Sequence, residues 1–477
     1  MGIYNMLKKT KIICTQGPST GKPGVVDALI ENGMNLARFN FSHGDHEEHL
    51  GRINMVREAA KKAGKVVSLV LDTKGPEMRL GDFKDGKVML EKGNKFTLTF
   101  SDEPGDETHV SINHKNLYTE VKPGDTLPLS DGLVALTVDE IKGKDIVTTI
   151  QNSGKMSTRK RVAAPGVSLG LPPISDQDAK DIIFGCKQDM DFVAASFIQR
   201  PEDVLAIRKL IEDNGGRMEI IPKIENLEGV KNFDAILAVS DGIMVARGDL
   251  GVEVPAEDVP LIQKDIIRKC NKAGKPVIVA TQMLESMTNN PRPTRAEVSD
   301  VGNAILDGTD AIMLSGETAN GDYPVEAVST MNCIAQRIES ALEYKDLFVE
   351  RGFEHLESRT RAVAHATVQM AYELDAGTII TPTESGYTTK VVSKYRPKAA
   401  IIAYTSSEKV VRQLNLRWGV YPVLGEQWND VDEMTSNATA ATVKEGYAKR
   451  GDLTIITSGI KTGTGTRNTN SIRVYTI

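Results

Sequence analysis

The chain has 477 residues, of which 40% are hydrophobic and 26% are charged, proportions typical of a globular protein with two to four domains. Its net charge of −6 argues against a general nucleic-acid-binding or membrane-binding surface. Because no run of about 18 apolar residues occurs, no membrane span is expected.

The first eleven residues and the cysteines bear on location. Residues 1–11 are polar and basic without an apolar core, so they do not resemble a secretory signal. Four widely spaced cysteines lack metal-ligand spacing and predict buried free thiols in a reducing cytosol, hence a cytoplasmic protein: Cys14, Cys186, Cys270 and Cys333.

Three histidines at three-residue spacing are predicted to lie on a solvated helix face: His43, His46 and His49.

Strand-like and helix-like segments alternate from Lys11 onward. Eight strand–helix units are predicted, the number that closes a (β/α)8 TIM barrel. The predicted strands are 11–15, 36–42, 66–72, 192–196, 219–225, 243–249, 277–281 and 311–317. Each strand ends in a polar residue: Thr15, Ser42, Asp72, Ser196, Glu225, Asp249, Thr281 and Ser315. In a barrel these residues share the C-terminal rim, where active sites are built.

The pattern of predicted strands and helices changes twice along the chain. Residues 75–166 show short alternating strands separated by turn signals, which predicts a β-rich lid domain inserted at the rim. Residues 1–74 and 167–345 are then the barrel domain. Residues 346–477 again alternate between strands and helices, which predicts a C-terminal open-sheet α/β domain.

Two neighbouring predicted strands end in ionisable residues. Lys223 and Glu225 follow one apolar run, and Asp249 follows the next. Carboxylates at one rim are suitable Mg²⁺ ligands, and a lysine beside them suits a phosphoryl group. For either strand alone, a surface salt bridge explains the pattern better. Both strands together favour a site.

Other rim segments carry weaker signals. Asn40, Ser42 and Asp72 provide oxygens that suit a monovalent cation, whereas Arg38 and Arg79 have the fork geometry that binds phosphate or carboxylate. The segment 248–251 (GDLG) presents backbone N–H groups at a predicted helix start, and Thr281 presents a hydroxyl group.

In the third domain a strand runs into a hydroxyl-rich turn that contains Thr383, Ser385 and Thr388. A phosphate cradle and a plain helix cap explain this pattern about equally well.

Six motifs in this order resemble the pyruvate kinase family: RFNFSH at 38–43, LDTKGPE at 71–77, IPKIEN at 221–226, MVARGDLG at 244–251, ATQMLESM at 280–287 and MLSGETA at 313–319. The resemblance runs from Lys11 to the C-terminus. It implies a barrel with an inserted lid and a C-terminal α/β domain. It also implies transfer of a phosphoryl group from phosphoenolpyruvate to ADP, which gives pyruvate and ATP at the end of glycolysis.

The resemblance also implies roles for individual residues. Glu225 and Asp249 would bind Mg²⁺ or Mn²⁺, Lys223 would neutralise the phosphoryl group, and Thr281 would lie near the carbon that is protonated. Substrate contacts are implied at Arg38, Lys223, Gly248, Asp249 and Thr281. A K⁺ site is implied at Asn40, Ser42, Asp72 and Thr73. Nucleotide contacts are implied at Asn40, Ser42, His43, Arg79 and Lys160, with Lys160 in an uncertain register within RKR (159–161).

Regulation and assembly follow only from the resemblance. Thr383, Ser385 and Thr388 match a loop that binds a sugar-phosphate effector in regulated members, which leaves open whether fructose 1,6-bisphosphate or a sugar monophosphate acts here. The closing loop 461–468 varies across the family, and a homotetramer is implied. Gln16 and Gly302 depart from the usual residues without removing a catalytic group.

Dependence on K⁺ is expected because of Glu77. In the resembling family, members with lysine at this position work without K⁺, and those with glutamate depend on it. A glutamate strengthens the negative potential that attracts a cation. The alternative is that Glu77 only pairs with a nearby lysine such as Lys74.

Two other functions are considered. A barrel lyase would use the Glu/Asp pair and Mg²⁺ for aldol cleavage, but it would need neither the lid nor the nucleotide-side arginine. A catalytically dead scaffold is expected to lack at least one of four residues that are all present: Lys223, Glu225, Asp249 and Thr281.

Overall fold

The computed structural model describes residues 7–101, 103–130, 132–352, 358–459 and 469–477. The barrel begins with three strands whose residues are almost all buried, as parallel strands covered by helices should be. Asp45 caps the second helix by accepting a hydrogen bond from the Glu48 N–H (2.9 Å). These elements are β1 (Lys11–Thr15), α1 (Val25–Glu31), β2 (Leu36–Asn40), α2 (His46–Ala63) and β3 (Ser68–Asp72).

The inserted unit after β3, called the lid, has its own hydrophobic core. Its elements are β4 (Met78–Arg79), β5 (Lys87–Leu90), β6 (Lys95–Thr99), β7 (His109–Ser111), α3 (Leu117–Glu120), β8 (Thr126–Leu129), β9 (Val134–Lys142), β10 (Asp145–Ile150), β11 (Gly154–Ser157) and β12 (Arg161–Val162). Seven strands form one sheet in the order β4-β12-β8-β9-β10-β6-β7, and β5 pairs with β11. The first and last strands, β4 and β12, pair with each other, so the chain enters and leaves the lid side by side.

The chain then completes the barrel. Its elements are α4 (Asp176–Lys187), β13 (Phe192–Ala195), α5 (Pro201–Asp213), β14 (Glu219–Ile224), α6 (Leu227–Lys231), α7 (Phe233–Val239), β15 (Ile243–Ala246), α8 (Arg247–Glu253), α9 (Val259–Ala273), β16 (Val277–Ala280), α10 (Arg295–Leu306), β17 (Ala311–Leu314), α11 (Gly316–Ala319) and α12 (Pro324–Glu339). Short 3-10 turns occur at Ala256–Asp258 and Glu285–Thr288. The eight parallel strands close in the order β1-β17-β16-β15-β14-β13-β3-β2.

A C-terminal unit packs on the N-terminal end of the barrel. Its elements are α13 (Tyr344–Gly352), α14 (Arg359–Glu373), β18 (Thr378–Pro382), α15 (Tyr387–Lys394), β19 (Ala400–Thr405), α16 (Glu408–Leu414), β20 (Val420–Leu424), α17 (Val431–Lys444), β21 (Leu453–Ser458) and β22 (Ser471–Thr476). The sheet order is β20-β19-β18-β21-β22, and only β22 runs antiparallel. Leu416 joins the cluster of side chains inside the barrel, so this unit closes the barrel at its base.

The predicted (β/α)8 barrel, lid and open-sheet α/β unit are confirmed. Segment 243–249 was predicted as strand throughout, yet the strand ends at Ala246 and α8 begins at Arg247. The rim carboxylate Asp249 therefore lies in the first turn of a helix, where negative charge is stabilised.

The three histidines do not share a solvated helix face, so this prediction is wrong. His43 is exposed but precedes α2, whereas His49 is buried and stacks on Phe41 at a ring separation of 4.0 Å. His46 begins α2 with a side chain that is 39% exposed, and it stacks on Phe184 and bonds Asp181 (2.7 Å). Helix α2 turns this side toward α4, which the local spacing did not reveal.

The four cysteines are free, as predicted, although only Cys14 and Cys270 are buried, whereas Cys186 is half-buried and Cys333 is exposed. Within the residues that the structure describes, no helix is both long and apolar enough to cross a membrane.

Candidate active site at the barrel rim

The rim brings together side chains that are far apart in sequence. Parallel pairing places Asn40 on β2 opposite Asp72 on β3, and β14 ends beside β13 with Lys223 and Glu225. A buried lysine results, held by three oxygen-bearing side chains. The Lys223 Nζ atom lies 3.2 Å from Asp72, 2.9 Å from Glu225 and 2.8 Å from the Ser196 hydroxyl.

Arg38 fixes the other side of Asp72. Its Nε donates to the Asp72 Oδ2 atom (2.6 Å), and its Nη1 donates to the Thr15 hydroxyl (2.9 Å). Asp72 thus binds one cation through each oxygen. Only 1% of its side chain is exposed, a degree of burial that a carboxylate tolerates when it is paired in this way.

The three buried charges have shifted pKa values. Burial alone would raise the pKa of Asp72, but Arg38 and Lys223 outweigh it and hold the pKa below its ordinary value. Burial would lower the pKa of Lys223, yet Asp72 and Glu225 raise it well above its ordinary value. Burial raises the pKa of Glu225 to about 7, against the opposing effect of Lys223. Lys223 is therefore held as a cation, whereas burial outweighs the effect of Lys223 at Glu225.

Both oxygens of the Glu225 carboxylate have partners at the rim. Its Oε2 atom accepts from the Phe197 N–H (2.6 Å), and its buried Oε1 atom lies 2.9 Å from the Lys223 Nζ atom. No group of three or more His, Cys, Asp or Glu side chains in the described part of the chain is arranged to hold a metal. Glu225 and Asp249 fit a cation such as Mg²⁺, which takes one or two protein carboxylates and keeps water and substrate oxygens.

Thr281 follows β16 in a conformation that few side chains adopt. Its φ is +70°, and that of Gln282 is +53°, and such strain is concentrated at functional sites. The Thr281 hydroxyl accepts from the Gly248 N–H (2.7 Å) and donates to the Ala280 carbonyl (2.5 Å). Two predicted substrate contacts, Gly248 and Thr281, are thus directly linked.

Arg247 stabilises the loop that carries Thr281. Its guanidinium donates to the Thr281 carbonyl (2.7 Å) and to Asp300 on α10 (2.7 Å). Only 11% of the Arg247 side chain is exposed, so this arginine anchors the loop after β16 to the barrel helices.

The lid contributes two arginines to the rim. Arg161 on β12 donates to Asp249, and its guanidinium lies 4.7 Å from the centre of the Phe197 ring. Arg79 on β4 donates through Nε to Glu77 (2.8 Å). The partner of Glu77 is therefore an arginine of the lid and not Lys74.

The remaining predicted contacts are less tightly arranged. The Asn40 Oδ1 atom accepts from the Ser42 N–H (3.2 Å), and the Thr73 carbonyl accepts from the Ser196 hydroxyl (2.6 Å). His43 and Lys160 are exposed. A cavity of about 310 Å³ lies beside the cluster, and its lining includes Glu77, Arg161, Phe197, Asn226 and Glu253.

The residues predicted to bind a sugar phosphate lie in the C-terminal unit, at the start of α15. Thr383 accepts from the Gly386 N–H (2.9 Å), the Thr388 hydroxyl lies 2.8 Å from the Thr469 hydroxyl, and Ser385 is exposed. The varying loop 461–468 lies outside the described residues.

Comparison with known proteins identifies the family. Residues 7–328 match the family described as pyruvate kinase, barrel domain, and residues 361–475 match pyruvate kinase, alpha/beta domain. The chain belongs to the pyruvate kinase family. Its members are phosphotransferases that act on phosphoenolpyruvate and ADP and are generally metal-dependent.

Relatives share the whole length of this chain. It is 51% identical to the pyruvate kinase of Clostridium acetobutylicum over 98% of this chain and 100% of that protein. It is also 51% identical to the pyruvate kinase of Geobacillus stearothermophilus, over 99% of this chain and 81% of that protein. A crystal structure of a pyruvate kinase from Cryptosporidium parvum has a TM-score of 0.94 and 41% identity, and the match covers 98% of this chain and 96% of that one.

Sequence reasoning left four rim residues without a role. Ser196 could have been found, because it ends a predicted barrel strand. No sequence pattern indicates the φ of +57° at Phe197. The contacts of Arg247 and Arg161 depend on the orientations of the short helix α8 and the short strand β12, which the sequence does not reveal.

Proposed function

We propose that the rim cluster of this pyruvate kinase family member transfers the phosphoryl group of phosphoenolpyruvate to ADP, with Lys223 as the cation that meets the group in transit. The main support for this proposal is the position of Lys223 between two carboxylates. Its Nζ atom lies 3.2 Å from Asp72 and 2.9 Å from Glu225. Two carboxylates keep the ammonium charged, so it stabilises negative charge and does not act as a base.

Glu225 and Asp249 would hold Mg²⁺ or Mn²⁺. When bound, the metal supplies positive charge that polarises substrate oxygens and neutralises the phosphoryl group. Arg38 would bind the substrate, since its guanidinium is already oriented by Asp72 and Thr15. Thr281 and Gly248 would orient the enol end of the substrate.

The nucleotide and K⁺ would bind on the side of β2 and β3. We assign K⁺ to Asn40, Ser42, Asp72 and Thr73, since Asn40 and Asp72 pair at the ends of β2 and β3 and the other two residues follow these ends. The nucleotide phosphates would be bound by Arg79 and Lys160, with Asn40, Ser42 and His43 nearby. The lid arginine at this site and the full-length family match favour the kinase over the barrel lyase.

A coupled assay that measures pyruvate formed from phosphoenolpyruvate and ADP tests the assignment. We expect activity with Mg²⁺ or Mn²⁺ and a loss of at least about hundred-fold in Glu225→Gln, because a catalytic metal contributes several kcal/mol. Glu228→Gln is the matched control, since Glu228 on α6 pairs with Arg200 (2.8 Å). Absence of pyruvate formation in the wild type, or equal rates in both variants, would reject the proposal.

We further propose that Thr383, Ser385 and Thr388 bind a sugar phosphate. Hydroxyl groups around the Gly386 turn, before the N-terminus of α15, support it. Titration calorimetry with fructose 1,6-bisphosphate, ribose 5-phosphate and glucose 6-phosphate is the test. If none of the three binds, the turn is only a helix cap.

We propose a cytoplasmic location, which the glycolytic reaction supports, and a homotetramer, which the resemblance to the pyruvate kinase family implies. Light scattering coupled to size exclusion measures the assembly directly, and a monomer would overturn that part of the proposal.

A further inference from the structure

Arg161 is a charged side chain of the lid that is largely buried at the rim. Its side chain is 11% exposed, and it forms an ion pair with Asp249 on α8. The guanidinium packs over the ring of Phe197, 4.7 Å from its centre. The contact joins β12, the last strand of the lid, to the barrel.

The surroundings of this guanidinium are acidic. Four carboxylates lie within its electrostatic reach: Asp249, Glu225, Glu77 and Glu253. Two of them, Glu225 and Asp249, are the carboxylates assigned to the divalent cation. A positively charged side chain of the lid therefore contacts Asp249 and lies near Glu225.

A guanidinium and a divalent cation compete for one carboxylate. Each neutralises Asp249, and two cations a few ångströms apart repel each other in a partly buried site. Because Arg161 belongs to the lid, its release from Asp249 would remove a contact between β12 and α8.

We infer that Arg161 is a positioning residue that competes with the divalent metal for Asp249 and thereby couples metal binding to the position of the lid. This inference rests on the proposed assignment of the metal to Glu225 and Asp249. It predicts that the arginine lowers metal affinity and that metal binding loosens the contact between β12 and α8.

The matched control is two residues away in the same lid segment. Arg159 pairs with Asp82 of the lid through Nε (3.0 Å) and Nη2 (3.1 Å), and 74% of its side chain is exposed. Arg159→Gln and Arg161→Gln remove the same charge from the lid, but only Arg161→Gln removes it from the rim.

The experiment measures Mn²⁺ binding to the full chain by electron paramagnetic resonance, without substrates. We expect Arg161→Gln to bind Mn²⁺ about ten- to hundred-fold more tightly than the wild type, the range that a charge-assisted hydrogen bond implies. Arg159→Gln should match the wild type, and Arg161→Lys should be intermediate. Equal affinity in the wild type and a folded Arg161→Gln variant would overturn the inference.

A second measurement, amide hydrogen exchange, reports on the contact between the lid strand β12 and the barrel. Saturating Mn²⁺ should increase amide hydrogen exchange in β12 of the wild type, whereas Arg161→Gln should exchange rapidly with or without Mn²⁺. No change in the wild type would overturn the coupling. Asp249→Asn separates the two proposals: if it binds Mn²⁺ as tightly as the wild type, the metal assignment itself fails. If it loses Mn²⁺ while Arg161→Gln gains nothing, only the role of Arg161 fails.

Discussion

Lys223 shows how a single residue determines the chemistry of the rim. An unpaired buried lysine tends to lose its proton, yet here two carboxylates and a hydroxyl within 3.2 Å stabilise the ammonium. The same contacts make the residue difficult to replace, because its removal leaves Asp72 and Glu225 buried with less positive charge.

Replacement of Lys223 by methionine should separate the two halves of the reaction. We expect Lys223→Met to abolish phosphoryl transfer and to leave the proton exchange of supplied pyruvate largely intact, because the ammonium meets the phosphoryl group and not the methyl carbon. Tritium exchange between solvent and pyruvate measures the second half. Lys231→Met, at the exposed end of α6, is the control. Parallel loss of both activities in a folded variant would contradict the role.

Glu77 gives a prediction about K⁺. The wild type should need a monovalent cation, and Glu77→Lys should recover much of its activity without K⁺, because a lysine there supplies the positive charge. Since Glu77 binds Arg79, the variant also frees that arginine.

Turnover is measured with tetramethylammonium as the only monovalent cation, at constant ionic strength. Glu91→Lys, an exposed lid position, controls for the general change in charge. Full wild-type activity in tetramethylammonium would rule out the K⁺ requirement.

At the scale of elements, helix α10 supports the loop after β16. Thr294 and Glu297 form a capping box at its N-terminus. The Glu297 carboxylate also accepts from the N–H (2.7 Å) and hydroxyl (2.5 Å) of Ser286. One side chain thus ties the 3-10 turn beyond Thr281 to the helix that carries Asp300.

Glu297→Gln should destabilise the protein by about 1–3 kcal/mol, because it weakens hydrogen bonds to a charged acceptor. Burial would raise the pKa of Glu297, but hydrogen bonds from Ser286 and Thr294 outweigh it and lower the pKa. The stabilisation is therefore complete above the ordinary pKa of a glutamate and is lost as pH falls through the lowered value.

Urea unfolding of both proteins at several pH values measures this difference. Exposed Glu257→Gln should have no effect at any pH. A difference between wild type and Glu297→Gln that grows as pH falls would contradict the argument.

At the scale of the whole molecule, buried charges join the barrel to the C-terminal unit. Asp191 is fully buried before β13, where it pairs with Arg412 (2.8 Å) and Lys409 (3.2 Å) of α16. Its other oxygen accepts from the Leu69 N–H (2.9 Å). Together with Leu416, these contacts fasten α16 to the base of the barrel.

Asp191→Asn should cost about 3–5 kcal/mol, because it removes the buried charge between Lys409 and Arg412, which then retain Asp189, an exposed partner. Asp213→Asn removes an exposed partner of Lys209 and should cost less than about 1 kcal/mol. Calorimetry compares the two variants. Similar unfolding temperatures would show that the interface is held by other contacts.

The sequence by itself determined the architecture and most of the rim. Eight apolar runs with polar ends, at helix-length spacing, are enough to predict a closed parallel barrel, because strand periodicity and burial are local properties of the chain. The same runs placed Asp72, Glu225, Asp249 and Thr281 at one rim, because parallel strands align their C-terminal ends.

Only the tertiary structure decided which of these groups meet. The Lys223–Asp72 contact spans 151 residues and the Arg161–Asp249 contact spans 88, and no local period encodes either. The burial of His49 depends on the packing of α2 against β2 and α4. The fixed charge of Lys223 and the raised pKa of Glu225 likewise depend on neighbours from other strands, because electrostatic interactions act through space and not along the chain.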